Sequence, residues 1–108
     1  MVGSSGDFSV STTSDGGTAT LTIAGELDMM TAPGVRAELI DAIDNFEHVV
    51  VDIGALDFVD SAGLATLLAA RKRADAADRR LELIRPTPSF KKVAEFAGMA
   101  ESLDVGAG

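Results

Sequence analysis

The chain has 108 residues, of which 46% are apolar and 24% are charged, and all five aromatic residues are phenylalanine. This length accommodates one ordinary domain and no second independent core. The absence of cysteine excludes disulfides, thiol redox chemistry and cysteine-based zinc sites. The first residues show no signal peptide, and no segment approaches the roughly 18 apolar residues that cross a membrane. We therefore expect a soluble cytoplasmic domain over residues 8–105, with flexible ends at residues 1–7 and 106–108.

The net charge of −8 is unevenly distributed along the chain. Residues 1–60 contain eleven acidic side chains and a single base, Arg36, whereas residues 61–108 contain eight bases and six acids. An acidic half repels phosphate backbones, so direct nucleic-acid binding is disfavoured. Acidic residues are interspersed among the bases of the second half, which indicates solvated helix faces rather than a basic patch.

The first half predicts a hairpin followed by a helix. Residues 8–12 and 19–24 alternate between apolar and polar side chains on either side of a turn at residues 14–17. This pattern is typical of two antiparallel strands, the second of which is expected to end at Gly25. Thr31 then supplies a capping hydroxyl before a first turn that contains proline. The apolar stripe of this helix consists of Val35, Leu39, Ile43 and Phe46.

The second half predicts two parallel strands, each followed by a helix. Residues 48–53 form a β-branched run that is typical of a central strand buried on both faces, and residues 56–60 form its exit loop. A helix capped by Ser61 is expected to reach about Ala77. A strand at residues 81–84 completes a strand-helix-strand unit, whose right-handed crossover makes the two strands parallel.

The last segment predicts one further helix and one ambiguous element. Ser89 is expected to cap a helix that stops at Gly98. Residues 103–105 add either an edge strand or a final turn. The fold class is therefore α/β, with a mixed sheet of four to five strands and helices packed mainly on one face.

Side chains that support catalysis are sparse. The single histidine, His48, opens a core strand and is expected to be structural. No hydrolase elbow or phosphate-binding loop is present, because Gly16 and Gly17 lie in a hairpin turn with no Lys-Ser or Lys-Thr nearby. Asp57 and Asp60 alone make a weak site for a hard cation, and solvated loop acids are the simpler interpretation. The sequence therefore predicts that the chain is not an enzyme and has no catalytic residue, metal site or cofactor.

Ser61 stands where the exit loop of a strand meets the start of a helix, so its hydroxyl is expected near the surface. Such a serine is most simply a helix cap, worth about 1 kcal/mol, and spacing alone favours that interpretation. The small residues Ala62 and Gly63 would nevertheless leave the hydroxyl accessible to a second protein. Free N–H groups at the helix start would also help to hold a phosphate.

Two motifs resemble those of STAS-domain anti-sigma factor antagonists. Residues 60–64 read Asp-Ser-Ala-Gly-Leu, which is similar to the Asp-Ser-(Ser/Thr/Ala)-Gly-Leu signature of that family. Residues 25–28 read Gly-Glu-Leu-Asp and residues 31–33 read Thr-Ala-Pro, which together are similar to its second hallmark. The separation of the motifs and the Phe-Ala-Gly-Met helix end at residues 96–99 also fit. The resemblance covers residues 8–105 and implies a single STAS domain.

The resemblance implies a partner-switching regulator. In such a cycle the unphosphorylated antagonist binds an anti-sigma factor, which is also a serine kinase of the histidine-kinase-like ATPase fold, and a sigma factor is released. The kinase phosphorylates the serine that matches Ser61, binding is lost, and a metal-dependent serine phosphatase restores the antagonist. The residues that the resemblance assigns to partner binding are Asp28, Asp60, Ser61, Ala62, Gly63 and Leu64. We expect a monomer that inserts into no membrane.

The charges around Ser61 make such a switch physically intelligible. A phosphoserine carries roughly −1.5 to −2 charge at neutral pH. Asp60 is adjacent, Asp57 lies in the same loop, and Asp28 lies on the neighbouring loop if the implied fold holds. An interface that closes over a neutral hydroxyl would then have to desolvate a dianion beside acids, which is costly.

Several alternatives stay open at this point. Many relatives carry a second hydroxyl where this chain has Ala62, so Ser61 is the only acceptor in the motif. Met29 and Met30 lie where the family varies, and core packing and a partner surface are both compatible with Met30. The domain could instead be an accessory subunit of a membrane transporter or a signalling scaffold, with Ser61 only a cap. Nucleotide binding by the domain is a third hypothesis, for which no phosphate-binding loop is present.

Overall fold

The computed structural model describes residues 8–105. In chain order the elements are β1 (Ser9–Asp15), β2 (Thr18–Leu27), α1 (Ala32–Asn45), β3 (His48–Val59), α2 (Ser61–Ala76), β4 (Arg80–Ile84), α3 (Pro88–Phe96) and α4 (Ala100–Leu103). The strands form one sheet in the order β1-β2-β3-β4, in which β1 is antiparallel to β2 and the other neighbours are parallel. This confirms the predicted α/β class and mixed sheet.

The sheet has four strands because the end of the described chain is helical. The Val105 N–H donates to the Ala100 carbonyl at 3.0 Å, so residues 103–105 complete a final turn and add no edge strand. The flexible ends expected at residues 1–7 and 106–108 lie outside the described residues. The predicted domain boundaries at residues 8 and 105 stay a prediction.

The predicted hairpin is present, but its second strand continues past its predicted end. Gly16 adopts φ +63° at the turn, a conformation that glycine reaches without a side-chain clash. Gly25 has φ +94°, and β2 continues beyond it to Leu27 with a shift of register against β3. The prediction that Gly25 ends the strand is therefore wrong, because here glycine permits an irregularity within the strand.

One apolar core lies between the helices and a single face of the sheet. The stripe predicted for α1 is buried at Val35, Leu39 and Ile43, and Phe46 packs against the margin of the core. The fully buried large aliphatic residues of β2 and β3 are Leu21, Ile23, Leu27, Val49, Val51 and Ile53. Burial of each such large side chain contributes about 1.5–3 kcal/mol, and this packing holds the helix starts against the sheet.

The opposite face of the sheet is only partly covered, which differs from the burial predicted for β3. Burial alternates along the strand, with Val49 and Val51 buried and Val50 and Asp52 half-exposed. The prediction of burial on both faces is therefore wrong. β-Branched residues suit any pleated and partly buried surface, so their run along β3 did not require a second covering layer.

Two polar side-chain pairs lie on this open face. His48 Nε2 is 2.7 Å from Glu82 Oε1, which gives the single histidine a structural partner. The Arg85 guanidinium donates to both oxygens of Asp52 at 2.9 and 3.0 Å, and these hydrogen bonds lower the pKa of the Asp52 carboxyl below its ordinary value. A Cβ on Gly54 would lie 2.7 Å from the Arg85 guanidinium carbon, so glycine leaves room for the pair.

The start of α3 differs from its predicted position. Thr87 is the N-cap residue, its hydroxyl accepts a hydrogen bond from the Phe90 N–H at 3.0 Å, and Pro88 occupies the first turn. Ser89 is therefore inside the helix and is not its cap. Gly98 follows the helix with φ +73°, in agreement with its predicted role as the stop.

Candidate functional site

Strands β2 and β3 end side by side at one edge of the sheet. Leu27 pairs with Val59 in parallel register, so the loops that follow the two strands leave the sheet at the same place. The prediction that residues 56–60 form an exit loop is wrong, because β3 continues to Val59. The longer strands bring Asp28 and Asp60, each one residue beyond its strand, onto neighbouring loops, as the family resemblance implied.

Asp60 ties the two loops together. Its Oδ1 accepts a hydrogen bond from the Gly63 N–H at 2.9 Å, and its Oδ2 accepts one from the Met29 N–H at 3.2 Å. The Asp60 N–H donates to the Leu27 carbonyl at 3.2 Å. Asp60 is therefore the N-cap of α2, and the prediction that Ser61 caps this helix is wrong. The extended backbone at Asp60 aims its carboxylate, rather than the serine hydroxyl, at the helix N–H groups.

Ser61 is the first residue of α2 and is exposed. Within residues 8–105 its hydroxyl forms no hydrogen bond, because the capping contact to the Gly63 N–H is made by Asp60 and not by Ser61. The N–H groups of Ser61 and Ala62 belong to the first turn and have no intrahelical acceptor. A phosphate on Ser61 would therefore lie beside unpaired donors and the positive end of the helix dipole.

Gly63 is the point at which α2 touches the end of β2. A Cβ on this residue would lie 2.6 Å from the Leu27 carbonyl oxygen and 2.9 Å from Val59 Cγ2. Only a glycine permits this close approach without a movement of the backbone. Leu64, the next residue, is completely buried. These two predicted partner-binding residues are thus placed to hold the helix start in position, whereas Ser61 lies on the surface.

Asp28 shapes the loop between β2 and α1. Its Oδ1 accepts hydrogen bonds from the Met30 and Thr31 N–H groups at 2.9 and 3.1 Å. The Thr31 hydroxyl accepts from the Asp28 N–H and donates to the Glu26 carbonyl, both at 2.9 Å. Thr31 occupies the N-cap position of α1, as predicted, but its hydroxyl holds this loop and does not cap the helix. The Asp-x-x-Thr spacing is the sequence signal that could have indicated this turn.

Three large apolar side chains are exposed on or next to the two loops: Met29 (70% exposed), Met30 (83%) and Phe58 (50%). The position of Met30, which the sequence left open, is therefore on the surface. Phe58 is a residue whose exposure the sequence analysis missed, because it directly precedes the buried Val59 in a strand of irregular register. Exposed apolar side chains beside acidic groups are typical of a protein-binding surface.

Metal binding has no support in this region. Residues 8–105 bring together no group of three side chains that could hold a metal ion. Both carboxylate oxygens of Asp60 accept backbone hydrogen bonds, and Asp57 is exposed. In the same part of the chain no helix has the length and apolar character needed to cross a membrane.

The four-stranded mixed sheet, its one-sided helices and the serine at the start of α2 together define a small α/β domain of known type. A family profile described as Mlab, STAS domain matches residues 10–105. The chain therefore belongs to the STAS domain family, in agreement with the resemblance carried by its two motifs.

The chain is also similar to individual proteins and solved structures. The chain is 29% identical over 84 residues to an anti-sigma F factor antagonist of Lysinibacillus sphaericus, a match that covers 76% of this chain and 72% of the relative. It is similar to the solved structure of the anti-sigma factor antagonist SpoIIAA in its unphosphorylated form, with a TM-score of 0.71 and 26% identity, covering 87% of this chain and 83% of that one. The phosphorylated form of Bacillus SpoIIAA matches with a TM-score of 0.69 and 26% identity, covering 87% and 86% of the two chains.

Proposed function

We propose that this chain is an anti-sigma factor antagonist that acts by partner switching. In its unphosphorylated form it binds an anti-sigma factor, and a sigma factor is thereby released. The names of its relatives and the existence of SpoIIAA in phosphorylated and unphosphorylated forms support this proposal. The observation that carries it is the exposed Ser61 at the helix start, beside a loop with exposed methionines.

In this proposal Ser61 is the phosphate acceptor. The anti-sigma factor is also a serine kinase of the histidine-kinase-like ATPase fold, and it transfers the γ-phosphoryl group of ATP to Ser61 Oγ. A metal-dependent serine phosphatase reverses the modification. The start of α2 offsets part of the added charge, by about 0.3–1 kcal/mol at an exposed site. The domain acts as a monomer in the cytoplasm, where sigma factors operate.

Electrostatics explain why phosphorylation would end binding without a large change of fold. The phosphate adds roughly −1.5 to −2 charge at a point next to Asp60 and close to the loop of Asp28. A partner surface that covers the neutral hydroxyl would have to desolvate this charge beside two carboxylates. Uncompensated burial of charge costs several kcal/mol, which is enough to dissociate a complex of ordinary affinity.

The six proposed partner-binding residues divide into two groups. The residues proposed to touch the partner are Asp28, Asp60, Ser61 and Ala62, all of which reach the surface. Gly63 and Leu64 are buried, and we propose that they act by holding the start of α2 against β2. The exposed Met29 and Met30 join the first group, because they lie on the loop that Asp60 binds.

Phosphorylation is tested with ATP and each purified serine kinase of this fold encoded in the same genome. Ser89 is an internal control, because it is also an exposed serine in the first turn of a helix. Mass spectrometry of the digested product should locate phosphate on Ser61 and none on Ser89. Absence of phosphate from Ser61 with every kinase contradicts the proposal.

Binding to the same kinases provides a second test. Ser61→Ala should retain the affinity of the wild type, whereas Ser61→Asp should weaken binding by at least about tenfold, which corresponds to about 1.4 kcal/mol. Ser89→Asp is the matched control and should bind like the wild type. Equal binding by the two Ser61 variants would instead favour an accessory-subunit or scaffold role.

A further inference from the structure

A groove opens between the first halves of α1 and α2, directly beside Ser61. It has a volume of about 340 Å³ and is lined by Met29, Ala32, Pro33, Arg36, Ala62 and Thr66. The groove adjoins the proposed site on two sides. Ala62 follows Ser61 in the chain, and the Met29 N–H is bonded to the Asp60 carboxylate.

The groove contains one charge. Its walls are mostly apolar, and Arg36 supplies the only charged group among the lining residues. Arg36 is exposed and forms no ion pair or side-chain hydrogen bond within residues 8–105. By contrast, Arg73 pairs with Asp44 at 3.2 Å. Glu38, the acid two positions after Arg36, has a different partner. It accepts a hydrogen bond from the Thr12 hydroxyl on β1 at 3.0 Å.

The location of this cation is unusual for the chain. Arg36 is the single base among residues 1–60, which contain eleven acids, and it lies next to the acidic loops of Asp28 and Asp60. An arginine at the edge of an apolar groove matches one ligand chemistry well, namely a carboxylate carried beside an apolar side chain. The planar guanidinium binds the carboxylate through paired hydrogen bonds, and the groove covers the apolar neighbour.

We infer that the kinase proposed above inserts an apolar side chain into this groove and pairs an aspartate or glutamate with Arg36. The inference rests on the proposed function and specifies how the kinase is oriented on the domain. The acids near Ser61 require bases on the partner, and Arg36 in the groove requires an acid. A contact pattern with both signs of charge fixes the orientation of the kinase over Ser61 and discriminates against kinases that lack this acid.

The test measures dissociation constants of the ADP-bound kinases for the unphosphorylated domain, so that no phosphoryl group is transferred. Arg36→Gln should weaken binding about fivefold and Arg36→Glu at least about twentyfold. Arg36→Lys keeps the charge but loses the paired hydrogen bonds, so it should weaken binding by an intermediate factor of about two to three. Thr66→Phe, which fills the groove, should weaken binding without a change of charge. Lys72→Gln is the matched control, because it removes one positive charge from an exposed position of α2 outside the groove, and its affinity should change less than about twofold.

The outcomes separate the inference from the proposed function. If Arg36→Glu binds like the wild type while Ser61→Asp loses binding, the inference is overturned and the proposed function stands. If the wild-type domain binds none of the kinases, both are rejected. A variant that unfolds is recognised by its circular dichroism spectrum. Arg36→Gln, which removes the charge without adding another, then decides the result, and affinity equal to that of the wild type overturns the inference.

Arg36 could instead bind the phosphorylated form of Ser61, and a different measurement tests that role. If Arg36 binds the phosphate of phosphorylated Ser61, Arg36→Gln raises the second pKa of the phosphoserine in a phosphorus NMR titration and leaves kinase affinity unchanged. That result overturns the inference. The inference itself predicts a compensating change in the kinase. When each acidic residue of the kinase is replaced in turn by lysine, one variant should restore binding to the Arg36→Glu domain.

Discussion

Helices α2 and α3 both begin with an N-cap side chain that accepts a hydrogen bond from the N–H three residues further on, Asp60 at 2.9 Å and Thr87 at 3.0 Å. Each first turn also contains an exposed serine, Ser61 or Ser89. The two starts differ in their surroundings, because the second oxygen of Asp60 binds Met29 on another loop. A capped helix start with an exposed serine therefore occurs twice in the described fold and does not by itself single out Ser61. The link to a second loop with exposed apolar side chains distinguishes α2.

Replacement of Gly63, the residue at which α2 closely approaches β2, should have the largest effect on stability. Gly63→Ala places a methyl group 2.6 Å from the Leu27 carbonyl oxygen, so the helix start must move away from β2. We expect the free energy of unfolding to fall by about 1–3 kcal/mol in urea denaturation. Gly34→Ala is the control, because a Cβ there meets nothing within 4 Å, and stability should stay equal or rise slightly. Equal effects of the two changes would contradict the close approach.

Removal of the two caps tests the link between the loops. Asp60→Ala should lower the free energy of unfolding by about 1–2 kcal/mol, and Thr87→Ala by about 1 kcal/mol. The decisive measurement is hydrogen exchange at the Met29 amide, which bonds to Asp60. This exchange should accelerate in Asp60→Ala and stay unchanged in Thr87→Ala. A Met29 amide that responds equally to both variants would show that the loops are not linked through Asp60.

The Asp52–Arg85 pair provides a comparison with an acid held mainly by a cation, because Asp52 accepts two hydrogen bonds from Arg85 and one from the Gly54 N–H at 3.0 Å. Hydrogen bonds from Arg85 lower the pKa of Asp52 below its ordinary value of 3.8, so the pair contributes stability above that pH. The contribution is lost as the pH falls through the lowered pKa. Asp52→Asn should therefore be less stable than the wild type at pH 6, and the difference should shrink towards pH 2–3 in urea denaturation. We expect an effect below that of Asp60→Ala, because solvent screens the exposed Arg85. A difference that grows on acidification would contradict the sign.

Replacement of the two serines should have the smallest effect on stability. Neither Ser61 nor Ser89 caps its helix, so Ser61→Ala and Ser89→Ala should each change the free energy of unfolding by less than about 0.5 kcal/mol. If Ser61 were the cap, its loss would cost about 1 kcal/mol. Urea denaturation of both variants at neutral pH distinguishes these cases.

Much of the fold could be predicted because local patterns and packing agree. The hairpin turn at Gly16 and the buried stripe of α1 at Val35, Leu39 and Ile43 formed as predicted, whereas Phe46 follows the helix as its C-cap. The extent of the strands could not be predicted in the same way. Strand β2 passes Gly25 because its pairing with β3 compensates for an irregular backbone, and such pairing is absent from local sequence. The same limit applies to β3, whose β-branched residues do not show how many faces are covered.

For the candidate site, the proximity of the two loops was predictable, but the hydrogen bonds between them were not. The motif around Ser61 and the acid at residue 28 were recognised, and the structure brings their loops together. The capping residue was misassigned because Asp60 and Ser61 are both favourable N-caps, and backbone angles decide between them. The bond from Asp60 to Met29 joins residues 31 positions apart, and the exposure of Phe58 depends on a register shift. Neither is encoded in a short window of sequence.

The hydrogen bonds of the methionine loop have a consequence for protein engineering. Asp60 and Asp28 hold the backbone N–H groups of Met29 and Met30, and both side chains are largely exposed. Recognition and folding are therefore separable at these positions. Residues 29 and 30 could be randomised in a library while the loop keeps its shape. Under the proposed function, variants selected against different kinases would give mutually insulated signalling pairs on one scaffold.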